Sequence, residues 1–210
     1  MNDDKLTPRK LPKQLRSKDT VEAIFTAAMQ ILERSETEAA NPAVAAIAER
    51  AGVSVGSLYQ YFPSKESLIS ALIRFHLEEQ VSAVERSLEE VKGIPGEQAA
   101  EKLVTGLIGG KRSRMGVERS MLRFFCRVGD LYTLTEYDER MNKAVEKYIL
   151  SLGTQVRPLV DPATAAFVIA NALRSAVLLS LIQSPERLHT PAFKDELVRL
   201  VVSYLKPNGT

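Results

Sequence analysis

The sequence predicts an all-α protein: an N-terminal three-helix helix-turn-helix unit, joined by a long fourth helix to a larger helical unit. Three observations carry that expectation. Apolar residues recur at spacings of three and four, no alternating stretch reads as a strand, and glycine, proline and polar caps cut the pattern into helix-sized segments. At 210 residues the chain has room for a small domain and a larger one, each with a core.

The first helix is expected to open near Ser17 or Asp19, where Asp19-Thr20-Val21-Glu22 resembles a capping box, and to bury Val21, Ile24, Phe25, Ala28 and Leu32. Asn41-Pro42 pairs a good N-cap with proline at the first helical position, and Val44, Ile47, Ala48 and Ala51 give the second helix its apolar face. Gly52 ends it. Ser54 caps a short third helix, Pro63-Ser64 closes that helix and caps a fourth, and Glu66 stands near the positive end of the fourth helix's dipole. The fourth runs through Leu68, Leu72, Phe75, Val81, Val84 and Leu88 until Gly93-Ile94-Pro95-Gly96 stops it. Further helices are expected over 97–108, 113–128, 134–152, from Asp161-Pro162 to 184, and from Thr190-Pro191 to 205.

The net charge of +2 says little about partners, but its distribution says more. Lys5, Arg9, Lys10, Lys13, Arg16 and Lys18 precede the first periodic segment, opposed by Asp3 and Asp4, so residues 1–17 read as a basic arm, either a solvated tail or a contact to nucleic acid. One cysteine, Cys126, rules out an intrachain disulfide, and no apolar block follows the basic residues, so a cytoplasmic protein without a secretory signal is expected. The most apolar window, 163–182, carries Asn171 and Arg174 at its centre and reads as a buried helix, not a membrane span.

The stretch AERAGVSVGSLYQYFPSKESL stops one helix at a glycine, restarts after a tight turn, and loads the next two turns with tyrosine. Two helices joined this way cross steeply and expose one side of the second. With Leu58 and Phe62 turned inward, Val55, Gly56, Tyr59 and Gln60 face solvent. A glycine there lets backbone approach closely, Val55 suits a thymine methyl and Gln60 an adenine edge. Ser57, Tyr59, Tyr61 and Lys65 suit phosphates, although Tyr59 and Tyr61 are also read as core aromatics and Lys65 as a surface lysine.

From Ile47 to Leu68 the run resembles the DNA-binding signature of the TetR family of bacterial transcriptional regulators, and the resemblance extends over 18–73. The loop from Glu36 to Pro42 departs from it, lacking the family's usual glycine and threonines, with Asn41 as the available substitute. The resemblance implies a homodimer whose third helix enters the major groove of a double-stranded operator, and a repressor released by a small-molecule inducer. It divides the chain into an arm (1–17), a DNA-binding domain (18–67) and a ligand-binding and dimerisation domain (68–210). Dimerisation is expected through the last two helices, by Ala163, Ala166, Ala170, Leu173, Val177 and Leu181 with Phe193, Leu197, Leu200, Val201, Tyr204 and Leu205, unless those faces are intramolecular core. A small apolar or amphipathic ligand is expected among the middle helices, with Arg123, Phe124, Cys126, Asn171 and Arg174 as candidate contacts.

Catalysis and cofactors are not expected. His76 and His189 stand far apart, no spacing forms a metal site, and no glycine-rich loop follows a strand. Two rivals stay open: a helix-turn-helix nucleic-acid enzyme, and a helical interaction protein without DNA binding.

Overall fold

The computed structural model describes residues 15–34, 42–94, 96–128, 131–159 and 161–207. The arm as far as residue 14, and Asn41, lie outside the described residues. All regular structure among the described residues is helical: α1 Leu15–Arg34, α2 Val44–Ala51, α3 Val55–Tyr61, α4 Lys65–Glu90, α5 Gly96–Ser113, α6 Met115–Val128, α7 Leu131–Ser151, α8 Pro162–Gln183 and α9 Pro191–Leu205. Short 3-10 turns at Gly153–Gln155 and Pro185–His189 add to the elements the sequence predicts.

Four helix starts and ends need correction, one of them α7, which opens at Leu131 and not at 134. α1 opens at Leu15, so Asp19 lies inside it and caps nothing, and residues 15–17 belong to the helix, not the arm. Leucine, arginine and lysine favour the helix and carry it past the expected cap. α2 opens after Ala43, whose extended backbone (φ −67°, ψ 136°) serves as an uncapped N-cap, so Pro42 precedes the helix. α5 runs past Gly109 and Gly110 to Ser113, with Lys111 and Arg112 in its last turn, where cations complement the helix dipole.

The remaining caps act as the sequence indicates. Asp161 Oδ1 accepts from Ala163 N at 3.1 Å, and Thr190 Oγ1 from Phe193 N at 3.4 Å. Ser64 Oγ accepts from Ser67 N at 3.0 Å while Ser67 Oγ accepts from Ser64 N at 3.1 Å, a reciprocal box that fixes the start of α4.

The chain divides into two compact units: the described residues of Met1–Leu77 with Arg114–Leu131, and those of Glu78–Ser113 with Tyr132–Thr210. The division falls inside α4, beyond the expected 67/68 boundary, and it returns α6 to the first unit. Gly116 shows why α6 belongs there. A β-carbon at this position would lie 2.7 Å from Leu32 O and 2.9 Å from Glu33 O, so α6 crosses α1 at a distance only glycine permits. Val117 N also donates to Glu33 Oε2 at 3.4 Å.

The core of the first unit joins Ile24, Ala28 and Leu32 of α1, Ile47 and Ala48 of α2, Leu58 of α3 with the adjoining Phe62, Leu68 and Leu72 of α4, and Val117 and Phe124 of α6. Phe25 packs on Phe62 and Phe75 with ring centroids 5.7 and 4.9 Å apart. Inside the same unit His76 Nε2 of α4 stands 3.3 Å from Glu118 Oε1 of α6, both buried. In the second unit α5 packs along α9, and Lys194 Nζ reaches Glu101 Oε1 at 2.7 Å. α4 and α7 share a polar seam: Arg140 pairs with Glu78 at 2.5 Å and with Glu85 at 3.3 Å, and Tyr137 Oη donates to Gln80 Oε1 at 3.1 Å.

α8 is apolar all round, and such a helix is stable in water only when most of its circumference is covered. Its own unit covers one side. Ala166, Val177 and Leu181 are fully buried there, and Leu197, Val201 and Leu205 of α9 are buried too, which corrects their expected place on a surface between subunits. The uncovered side carries Phe167, Val168, Leu179 and Ile182, each 43–55% exposed, and Leu200 of α9 is 45% exposed. Among the described residues α8 is the helix long and apolar enough to cross a bilayer. Its Arg174 is engaged, pairing with Asp138 of α7 and donating to Asn171 Oδ1 at 2.6 Å.

Candidate nucleic-acid interface

The turn between α2 and α3 is built from backbone outward. Gly52 sits in the left-handed region (φ 70°), and its N–H bonds back to Glu49 O at 3.1 Å while Val53 N reaches Ala48 O at 3.0 Å. That closes α2 sharply and folds Val53 against the core. Ser54, in extended conformation, then accepts from Ser57 N at 3.0 Å and starts α3. Arg50 Nε donates to Gln30 Oε1 at 2.7 Å, tying α2 to α1.

α3 is seven residues long, short of what holds itself together in isolation, so packing must fix it. Leu58 is 1% exposed, and Phe62 just beyond the helix is 2% exposed. The opposite flank is bare: Val55 is 41% and Tyr59 44% exposed, with Gly56 and Gln60 also at the surface. The fold makes no demand for glycine at 56. A β-carbon there would meet only Ser54 Oγ at 3.8 Å, and the backbone is ordinary helix. A glycine that costs helix stability and relieves no internal clash leaves room for something outside the chain.

Val55, Gly56, Tyr59 and Gln60 thus share one exposed flank. Ser57 is half-buried, its hydroxyl 2.8 Å from that of Ser54. Tyr61 is half-buried against the core, in keeping with its reading as a core aromatic, and Lys65 is half-buried at the first position of α4.

The candidate ligand contacts are divided between the two units. Phe124 is buried in the core of the first unit, Arg123 donates to Ser120 Oγ at 3.2 Å and Cys126 is exposed, whereas Asn171 and Arg174 belong to the second unit. Two clefts open in the second unit, and none of these residues lines either one. The first, about 400 Å³, lies between the C-terminal half of α4 and α7 and is edged by Lys92, Arg140, Lys143 and Lys147 with Glu85 and Glu89. The second, about 320 Å³, lies among α5, α7 and α9 and is lined by Leu103, Leu152, Val156, Val201 and Leu205, with Lys206 at its edge. Tyr148 borders both, and burial pushes its phenol up. A hydrogen bond from Lys92 holds the Glu89 carboxyl below its ordinary value. Sequence periodicity carries no signal for either cleft, because helix ends and gaps between helices make them. Among the described residues no group of three or more His, Cys, Asp and Glu side chains is placed to hold a metal ion.

Residues 24–72 match the model of the bacterial regulatory proteins of the tetR family, and residues 95–205 match that of the tetracyclin repressor-like C-terminal domain. The chain is 27% identical over 140 residues to the nucleoid occlusion factor SlmA of Marinomonas sp. (strain MWYL1). That match covers 67% of this chain and 65% of the relative, so it spans just under two thirds of the relative's length. Among solved structures, a TetR-family transcriptional regulator of Mesorhizobium loti superposes with a TM-score of 0.69 at 18% identity, covering 91% of this chain and 95% of the other. FadR of Thermus thermophilus, a TetR-family transcriptional repressor solved with lauroyl-CoA, gives 0.64 at 16% identity, covering 90% and 97%.

Proposed function

From the premise that this chain belongs to the TetR family of DNA-binding bacterial transcriptional regulators, we propose that it is a repressor that holds its operator as a homodimer and lets go when a small amphipathic molecule binds the second unit. The observation that carries this reading is the bare flank of α3, where Gly56 meets nothing in its own chain beyond an ordinary contact with Ser54. In the groove, Val55, Gly56 and Gln60 face base edges, while Ser57, Tyr59, Tyr61 and Lys65 bear on phosphates and set register. Domain roles follow: residues 18–67 read DNA and 68–210 receive the signal and dimerise, although α6 shares the core of the DNA-reading unit.

The subunit contact is assigned to the uncovered side of α8. Phe167, Val168, Leu179 and Ile182 fall on one helical stripe, and a two-fold axis would set that stripe against itself. A second copy would cover the apolar side that its own unit leaves in water. Such a dimer resides in the cytoplasm, where its operator is. The lauroyl-CoA of the T. thermophilus relative is an amphipathic ligand, but at 16% identity the likeness extends to fold, so the ligand class here rests on the clefts of this chain.

Gel shifts of the ligand-free protein against genomic fragments, repeated over a range of salt concentrations, test the reading. Discrete complexes that weaken steeply with salt support it, cleaved or rearranged DNA supports an enzyme, and absence of any complex supports an interaction protein. The likeness to a nucleoid occlusion factor favours one second reading, a nucleoid occlusion role. Sequencing the selected fragments separates the two: a few sites upstream of genes mark a transcriptional repressor, whereas sites spread along the chromosome mark the alternative.

A further inference from the structure

We propose that the ligand of the second unit is a straight-chain carboxylate, its head among the lysines of the α4–α7 cleft and its tail passing Tyr148 into the apolar cleft among α5, α7 and α9. The inference rests on the signal-receiving role given to this unit above, and it names the class of signal.

The charges of the first cleft are unevenly used. Lys92 is bound to Glu89 at 2.8 Å and Arg140 to Glu78 and Glu85, whereas Lys147 stands 3.9 Å from Glu89 and Lys143 makes no ion pair among the described residues. Cations outnumber carboxylates along this edge, and the two least committed are one helical turn apart on α7. An anion is the complement of that pair. Both lysines are exposed, however, and a carboxylate held by exposed lysines gains little on its own. Affinity must then come from apolar burial.

The second cleft supplies it. Leu103, Leu152, Val156 and Leu205 give it apolar walls, and its volume is within the usual range for small-molecule sites. Tyr148 is the shared wall. Its hydroxyl is committed to Ile94 O at 3.0 Å, which leaves the ring as apolar surface common to the cationic cleft and the apolar one. One molecule with an anionic end and a hydrocarbon tail satisfies both clefts, whereas a small dianion would use only the first and a neutral hydrocarbon only the second.

Calorimetric titration of the full-length protein with hexanoate, octanoate, decanoate and methyl decanoate tests this. Affinity is expected to rise roughly fourfold per added methylene while the tail fills the recess. The Lys143→Glu/Lys147→Glu protein should bind decanoate about three- to tenfold more weakly and methyl decanoate unchanged. Leu103→Trp, or Val202→Phe on the α9 wall of the same cleft should the first fail to fold, should abolish the gain with chain length. Three results would overturn the proposal: no saturable binding of any carboxylate, affinity that ignores chain length, or decanoate binding indifferent to the charge reversals. The regulator reading fails separately, if ligand-free protein forms no complex with DNA while the chain-length series holds.

Discussion

α3 and α8 differ in how completely their composition fixes their surroundings. In α3 Leu58 faces inward with the adjoining Phe62, and what remains outside is too specific to serve solubility. In α8 apolar residues occupy every side, so composition alone assigns none of them. Only the packed chain separates Val177 and Leu181, which it covers, from Phe167, Val168, Leu179 and Ile182 on the other stripe, which it does not. An exposed flank is therefore legible in sequence when its residue types are unusual for solvent, and illegible when they match the core.

The comparison breaks first at α8. Phe167→Glu/Ile182→Glu places charges on the uncovered stripe without touching the unit's own core. Sedimentation should show a monomer, and operator affinity should fall by at least about a hundredfold, since two half-sites are then no longer held together. A dimer that persists would assign the stripe to another partner.

The next largest effect is on the fold. Gly116→Ala drives a methyl group into the α1 backbone and should cost roughly 1–3 kcal/mol in chemical denaturation. Unchanged stability would mean that α6 can move away from α1 without loss. Tyr59→Ala removes an exposed side chain from α3, so it should leave the melting temperature unchanged while weakening all DNA sequences alike, by about fivefold. A change in sequence preference would move Tyr59 from phosphate to base. An effect of similar size is expected on stability at Ser54→Ala, which deletes the cap of α3 and should cost about 1 kcal/mol.

Much of the first unit is legible because its signals are local. Gly52, Ser54 and Ser64 fix turns and caps through bonds to residues a few positions away, and Leu58 and Phe62 announce their inward side by spacing. The place of α6 is not legible. Val117 and Phe124 have the spacing of any core helix, and only the contact of Gly116 and Val117 with residues more than eighty positions earlier assigns them to the first unit. The start of α2 departs from its sequence signal because the extended backbone at Ala43 overrides the strong local pairing of Asn41 with Pro42. In the second unit Asn171 and Arg174 stand out as polar residues in an apolar helix, yet they bond to Phe167 O, to each other and to Asp138. The two clefts arise from gaps between helices, which no single helix records.

Gly56→Val bears most directly on the docking of α3 in the major groove. A β-carbon at this exposed position meets nothing nearer than Ser54 Oγ at 3.8 Å, so the melting temperature should stay within about 2 °C, with folding stability changed by less than ~0.5 kcal/mol. Operator binding by the same folded protein should fall at least about a hundredfold, because under the proposed docking the added side chain would stand where base edges come close. Wild-type affinity in a folded, dimeric Gly56→Val protein would contradict the docking of this flank against DNA.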